Sequence, residues 1–140
     1  MKKIAIVYWS GTGNTEAMAA AVADGARGAG GEAALIQAGE FSPSRMDEFD
    51  AIAFGCPAMG AEVLEEDEFE PMFSACADHL SGKPIALFGS YGWGDGEWMR
   101  DWEDTCRGKG ADLVCDSVIC QEAPDEEGEA ACRALGAALL

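Results

Sequence analysis

Three short stretches of the chain combine glycine with hydroxyl, amide, aromatic or carboxylate side chains. Ser10-Gly11-Thr12-Gly13-Asn14-Thr15 follows an apolar run and opens a helical pattern. The two glycines let the backbone approach a ligand closely, and three hydroxyls and an amide add hydrogen-bonding groups. A helix N-terminus directs free N–H groups and positive dipole at whatever sits there, so the stretch describes a cradle for phosphate. It has no lysine and so is not the Gly-x-x-x-x-Gly-Lys loop of nucleotide triphosphatases. It also fails the dinucleotide fingerprint. Glu16 holds the place of the third glycine, and Gln37-Ala38 stands where an acid is needed.

The second stretch, Pro57-Ala58-Met59-Gly60-Ala61-Glu62, surrounds one methionine with small residues and ends on a carboxylate. The third, Gly89-Ser90-Tyr91-Gly92-Trp93-Gly94-Asp95-Gly96, holds two aromatics between four glycines. So much glycine packs poorly by itself, which leaves Tyr91 and Trp93 free to cover something flat. A phosphate cradle, an aromatic wall, a methionine wall and a hydrogen-bond acceptor suit a planar, phosphorylated heterocycle bearing an N–H. Flavin mononucleotide (FMN) has that shape.

Such loops must be brought together by the elements that precede them. Ile4–Tyr8, Ala33–Ile36, Ala51–Phe54 and Pro84–Phe88 are short apolar runs that read as strands covered on both faces. A fifth strand, Leu113–Cys115 and Val118–Cys120, is interrupted at Asp116-Ser117. Between them lie helical patterns: Met18, Ala21, Val22 and Ala26, then a short turn over Ser42–Phe49, then Phe69, Met72, Phe73 and Cys76. Trp98, Met99, Trp102 and Cys106 form the next stripe. A closing helix from about Asp125 has Ala131, Ala134, Leu135, Ala138 and Leu139 as its inner face. Alternation of this kind implies a doubly wound parallel sheet in three α/β/α layers, with ligands beyond the carboxyl ends of the strands.

Composition narrows the possibilities. The 140 residues are expected to form one domain, 1–140, and the net charge is −17. A polyanion of this strength repels nucleic acid and anionic lipid and is steered towards basic protein surfaces. The N-terminal Lys2-Lys3 precedes an apolar stretch too short for a secretory signal and a glycine turn in place of a cleavage site, so the chain is expected in the cytoplasm. The six cysteines lack Cys-x-x-Cys pairs and fall mostly in apolar runs, as core packing would have it. The single histidine, His79, lies in a polar stretch and reads as a surface residue. No metal site is expected.

At this point the chain resembles the flavodoxins, specifically the short-chain type of anaerobic bacteria. The likeness rests on Val7-Tyr8-Trp9-Ser10-Gly11-Thr12-Gly13-Asn14-Thr15-Glu16, Cys56-Pro57-Ala58-Met59-Gly60 and Phe88-Gly89-Ser90-Tyr91-Gly92-Trp93-Gly94, and runs over nearly the whole chain. It implies a flavodoxin-like five-stranded sheet of order 2-1-3-4-5 and a non-covalently held FMN. By position, Ser10, Thr12, Asn14 and Thr15, with the amides of Gly11 and Gly13, would bind the phosphate. Trp93 and Met59 would cover the two ring faces, and Glu62 would accept a hydrogen bond from flavin N3–H. Pro57, Ala58, Ser90, Tyr91, Gly92 and Gly94 complete the two flavin loops. In relatives the peptide after the glycine matching Gly60 turns over on reduction and offers its carbonyl to flavin N5–H, and here that peptide is Gly60–Ala61.

The expected function is low-potential one-electron transfer between semiquinone and hydroquinone. Six of the nine residues from Glu62 to Glu70 are acidic, as are Asp95 and Glu97, so an anionic reduced flavin would form in a negative field. The expected partners are redox proteins with basic docking surfaces, namely reductases and oxidoreductases with iron–sulfur centres, and the chain itself is expected to be a monomer. An FMN-dependent NAD(P)H reductase is the alternative. It is disfavoured because Trp93 covers one ring face and the loops hold no Arg or Lys for the nicotinamide's phosphates. A phospho-receiver is excluded because Trp9-Ser10 and Gly55-Cys56 stand where its acids must be.

Overall fold

A computed structural model describes residues 2–59, 63–92 and 94–140. The apolar runs become strands β1 (Lys3–Tyr8), β2 (Glu32–Gln37), β3 (Ala51–Gly55) and β4 (Pro84–Tyr91), followed by β5 (Asp112–Leu113) and β6 (Val118–Gln121). All pairings are parallel in the order β2-β1-β3-β4-β5, with β6 also on β4. Side chains alternate across a strand, so each strand feeds two cores. Val7, Ile52, Phe54, Ile85 and Leu87 face one layer of helix, and Ile4, Ile6, Ala53, Ala86 and Phe88 face the other. This is the expected doubly wound α/β/α arrangement.

The interruption in the fifth strand has a register cause. Pro84 faces Asp112 whereas Phe88 faces Val118, so β4 gains a neighbour with two extra residues between its halves. Those residues are accommodated by breaking the ladder between β5 and β6. The fourth strand runs further than its apolar run suggests. Gly89, Ser90 and Tyr91 pair with Ile119, Cys120 and Gln121, so they are strand, not free loop. Glycine and serine are poor strand formers, and the partner strand holds them extended.

Helices α1 (Asn14–Gly28) and α4 (Glu126–Ala138) cover one face of the sheet, and α2 (Phe69–Ala77) and α3 (Glu97–Gly108) the other. The stripes on α2 and α3 are buried as expected, with Trp102 edge-on to Phe69 and Phe73 at centroid distances of 5.4 and 5.6 Å. Ser42–Phe49 winds more tightly than an α-helix, as a 3₁₀ turn at Pro43–Glu48, and another such turn, Ala38–Glu40, stands before it.

The inner face of α4 keeps Leu135 and Leu139 of the expected stripe but not its alanines. Cys132, Leu135, Gly136 and Leu139 are buried, while Ala134 and Ala138 are exposed and Ala131 is half-buried. Two glycines explain the rotation. A Cβ on Gly136 would stand 2.0 Å from the Val22 carbonyl oxygen, and one on Gly25 would stand 1.9 Å from the Arg133 carbonyl oxygen. The helices cross backbone to backbone, so the buried stripe takes in Gly136, which has no side chain, beside Cys132, Leu135 and Leu139.

This crossing yields a pair of opposite effects. Gly136→Ala is expected to destabilise by about 1–3 kcal/mol through overpacking, despite alanine's better helix propensity. Gly28→Ala, at the end of α1 with open space around it, is expected to stabilise by about 0.4–1 kcal/mol. Urea unfolding midpoints moving in opposite directions check both.

Candidate functional site

Parallel strands place all their carboxyl ends on one edge, and there the loops after β1, β3 and β4 meet. Thr12, Asn14, Pro57, Ala58, Ser90, Tyr91 and Gly92 line one cleft of about 410 Å³. Ligand pockets commonly fall between about 300 and 1,000 Å³. Two further lining residues, Glu122 and Ala123, follow β6. They were missed because the stretch after the last strand carries no glycine-rich signature. The available signal was positional, since β6 also ends on this edge.

The first loop is shaped to leave its helix end open. Gly13, just before α1, has φ of 94°, a left-handed value that glycine adopts without strain, and it gives α1 no side-chain cap. Ser10 Oγ accepts from the amides of Gly13 (3.1 Å) and Glu16 (3.2 Å), which leaves its own O–H free to donate. Among the described residues, the Gly11, Thr12 and Thr15 amides meet no acceptor within the protein. The Thr15 hydroxyl turns inward instead. It lies 2.8 Å from Ser90 Oγ, with both residues buried, and so ties the first loop to β4.

The second loop is built as an extension of the β3–β4 ladder. Cys56 N–H donates to the Phe88 carbonyl (3.1 Å) and Ala58 N–H to the Ser90 carbonyl (2.9 Å). Met59, half-buried, donates its amide to the Val63 carbonyl (2.9 Å). In the third loop the Tyr91 ring is not free, as the glycine content suggested. It packs on Trp98 at a centroid distance of 5.6 Å because Tyr91 is still strand. Gly92 and Gly94 are exposed. The positions expected to supply the ring contact and the N3 acceptor, Trp93 and Glu62, lie outside the described residues, as do Gly60 and Ala61.

Charge around the cleft is less uniform than the acid count implies. Glu66, Asp67, Glu68 and Glu70 are exposed, but Glu65 is 4% exposed. Its Oε1 accepts from the amides of Glu68 (2.7 Å) and Phe69 (2.8 Å), and its Oε2 from that of Asp67 (2.7 Å). Burial alone would raise this carboxyl, but the three amides outweigh burial and hold it below its ordinary 4.5. Asp95 is paired with Arg100 of α3 at 3.0 Å. The cysteines pack in the core as expected: burial pushes Cys56, Cys106 and Cys132 up to about 12 and Cys76 to about 11, so all four stay protonated. His79 is exposed.

The comparisons with known proteins agree with this geometry. A family model described as Flavodoxin matches residues 6–136. The chain belongs to the flavodoxin family. Its cofactor is FMN, and it is an FMN-binding electron carrier. A flavodoxin of Clostridium beijerinckii is 49% identical over 121 residues, covering 86% of this chain and 88% of the relative. One from Megasphaera elsdenii is 43% identical over 138 residues, covering 96% of each. The solution structure of the two-electron reduced Megasphaera elsdenii flavodoxin superposes with a TM-score of 0.90, over 97% of both chains. Among the described residues no helix is long and apolar enough to cross a membrane, and no cluster is arranged to hold a metal ion.

The cleft fits a phosphate-bearing flavin on its own terms. Donor amides without protein partners and a rotatable serine O–H suit a phosphate dianion. A slot walled by Pro57, Ala58 and Tyr91 suits a flat ring.

Glu65 makes the stability depend on pH with a defined sign. Its folded value is depressed, so its contribution is present above about pH 4.5 and is lost as pH falls through the folded value. Glu65→Gln is expected to cost about 1–3 kcal/mol at pH 7, the cost of weakening a buried acceptor set. That penalty is expected to shrink towards pH 3, as urea midpoints at a series of pH values would show.

Proposed function

We propose that this chain is a low-potential one-electron carrier that donates electrons to redox enzymes. The observation that carries the reading is the open N-terminus of α1 at the mouth of a three-loop cleft, within a strongly acidic surround. FMN, when bound, supplies one-electron chemistry between its semiquinone and hydroquinone levels.

The chain's own residues bind, orient and bias that chemistry. Ser10, Thr12, Asn14 and Thr15, with the amide of Gly11, hold the phosphate; the Gly13 amide, expected to do the same, is committed to Ser10 Oγ. Thr15 does so through its backbone, since its hydroxyl is committed to Ser90. Met59 and Trp93 cover the ring faces, and Glu62 accepts from N3–H. Pro57, Ala58, Gly60, Ala61, Ser90, Tyr91, Gly92 and Gly94 shape the rest of the slot. The cradle has no lysine or arginine of its own, so the phosphate charge stays largely unneutralised. Exposed carboxylates from Glu66 to Glu70 add to it. Further negative charge on the ring is therefore disfavoured. Each 1.4 kcal/mol of disfavour lowers a one-electron potential by about 59 mV.

The same carboxylates select the partners. Reductases and iron–sulfur oxidoreductases with basic docking surfaces would be steered to this face, with on-rates that fall as salt rises. We take the chain to be a monomeric domain spanning 1–140, working in the cytoplasm and without an enzymatic reaction of its own.

Titration of the apoprotein with FMN is expected to give a yellow one-to-one complex that turns blue on half-reduction. Colourless protein with no uptake would end this reading. Replacing Glu66, Glu68 and Glu70 together by glutamine is expected to raise the second potential by roughly 10–50 mV at low salt, less at high salt. An unchanged value would count against the field. The holoprotein alone is expected to oxidise NADPH no faster than free FMN does; a clearly faster rate would favour the reductase alternative.

A further inference from the structure

Strand β6 and helix α4 meet through two cysteines that neither the cleft of the three loops nor the charge around it uses. Cys120 of β6 lines a separate open cleft of about 470 Å³, with Gln121, Ala123, Asp125, Gly128 and Ala131, and is 8% exposed. Its sulfur rests on the first turn of α4, where a Cβ on Gly128 would stand 2.7 Å from Sγ. Gly128 thus leaves the room that lets the sulfur reach the helix. Cys132 lies four residues further along α4, one turn on and on the same face. It is fully buried, in the same core cluster as Cys120. The two thiols are close enough for each to alter the other's acidity. Cys56, Cys76 and Cys106 belong to the other core layer. Ala123 lines both clefts, so the pair stands beside the three-loop site without entering it.

We propose that Cys120 and Cys132 are a dithiol that a hydroperoxide converts to a disulfide, Cys120 being the thiol oxidised first and Cys132 the one that completes the bond. Access sets the order. Cys120 opens onto the cleft, whereas Cys132 has no exposure at all. With hydrogen peroxide, the Cys120 thiolate attacks one oxygen and the O–O bond breaks. Hydroxide leaves and is protonated to water, and the sulfur, oxidised by two electrons, becomes a sulfenic acid. The Cys132 sulfur then displaces the sulfenic hydroxyl, which departs as water with the Cys132 proton. Two thiols and one peroxide give one disulfide and two waters. Burial and the Asp125 carboxylate push the Cys120 thiol up, and the Cys132 thiol opposes them by donating to its sulfur. The first step therefore runs through a minor thiolate form and is slow.

The test treats the folded, FMN-loaded protein with hydrogen peroxide and maps its thiols by alkylation and mass spectrometry. The parent protein is expected to lose two hydrogens, to yield a Cys120–Cys132 linked peptide pair, and to regain both thiols in dithiothreitol. Cys132→Ser is expected to stop at a sulfenic acid on Cys120 that dimedone captures. In Cys120→Ser, Cys132 is expected to be oxidised roughly tenfold or more slowly than in the parent. Where a variant does not fold, the parent decides: dimedone is expected on Cys120 before the disulfide appears. Both thiols left intact, a disulfide drawn from another pair, or a Cys120–Cys132 bond that forms only in urea would overturn the proposal. So would dimedone captured first on Cys132, or Cys132 oxidised at the parent's rate in Cys120→Ser.

Discussion

All the chemistry assigned to this chain depends on the loop that opens α1 standing at the carboxyl end of β1, with the Gly11, Thr12 and Thr15 amides meeting no acceptor among the described residues. A helix begins with amides that its own turns cannot satisfy. Here the preceding residue is a glycine at φ 94°, which contributes no side chain to cap them. Ser10, from outside the helix, takes the amides of Gly13 and Glu16, and the Thr15 amide is left open with those of Gly11 and Thr12. Strand β1 carries this open end to the same edge as the loops after β3, β4 and β6, because every strand is parallel. The fold brings the donors to the slot, and the loops then close around it.

The acidity of the chain has two physical meanings that a charge count merges. Carboxylates such as Glu66 and Glu68 face water and act at a distance, screened by salt. Glu65, in the same run, is withdrawn from water and is tolerated there because three amides surround it. In the proposed carrier the first kind would bias redox potential and partner choice. The second holds a helix start in register. Asp95 belongs to neither group fully, since Arg100 offsets it.

Much of the architecture was legible because apolar runs and helical stripes are local patterns. Phe69, Met72, Phe73 and Cys76 announce α2, and Trp98, Met99, Trp102 and Cys106 announce α3, since burial of one helix face repeats every three or four residues. The pattern failed where backbone replaced side chain as the thing being packed. Gly136 and Gly25 set the α1–α4 crossing, and no hydrophobic scale marks a glycine as a core residue. It failed again at Gly89-Ser90-Tyr91, whose composition suggests loop and whose conformation is decided by β6.

The amino-acid order by itself determined the alternation of strand and helix, the hydroxyl- and glycine-rich stretch after β1, the composition of the loops after β3 and β4 and the strong negative charge, since each is written in adjacent residues. Only the tertiary structure decided which groups remain available at the cleft. The Thr15 hydroxyl turned to Ser90, Tyr91 settled on Trp98, Glu65 went inside, and Glu122 and Ala123 joined the wall. These outcomes depend on contacts between residues far apart in sequence, where the cost of an unpaired buried polar group selects among conformations that look equivalent along the chain.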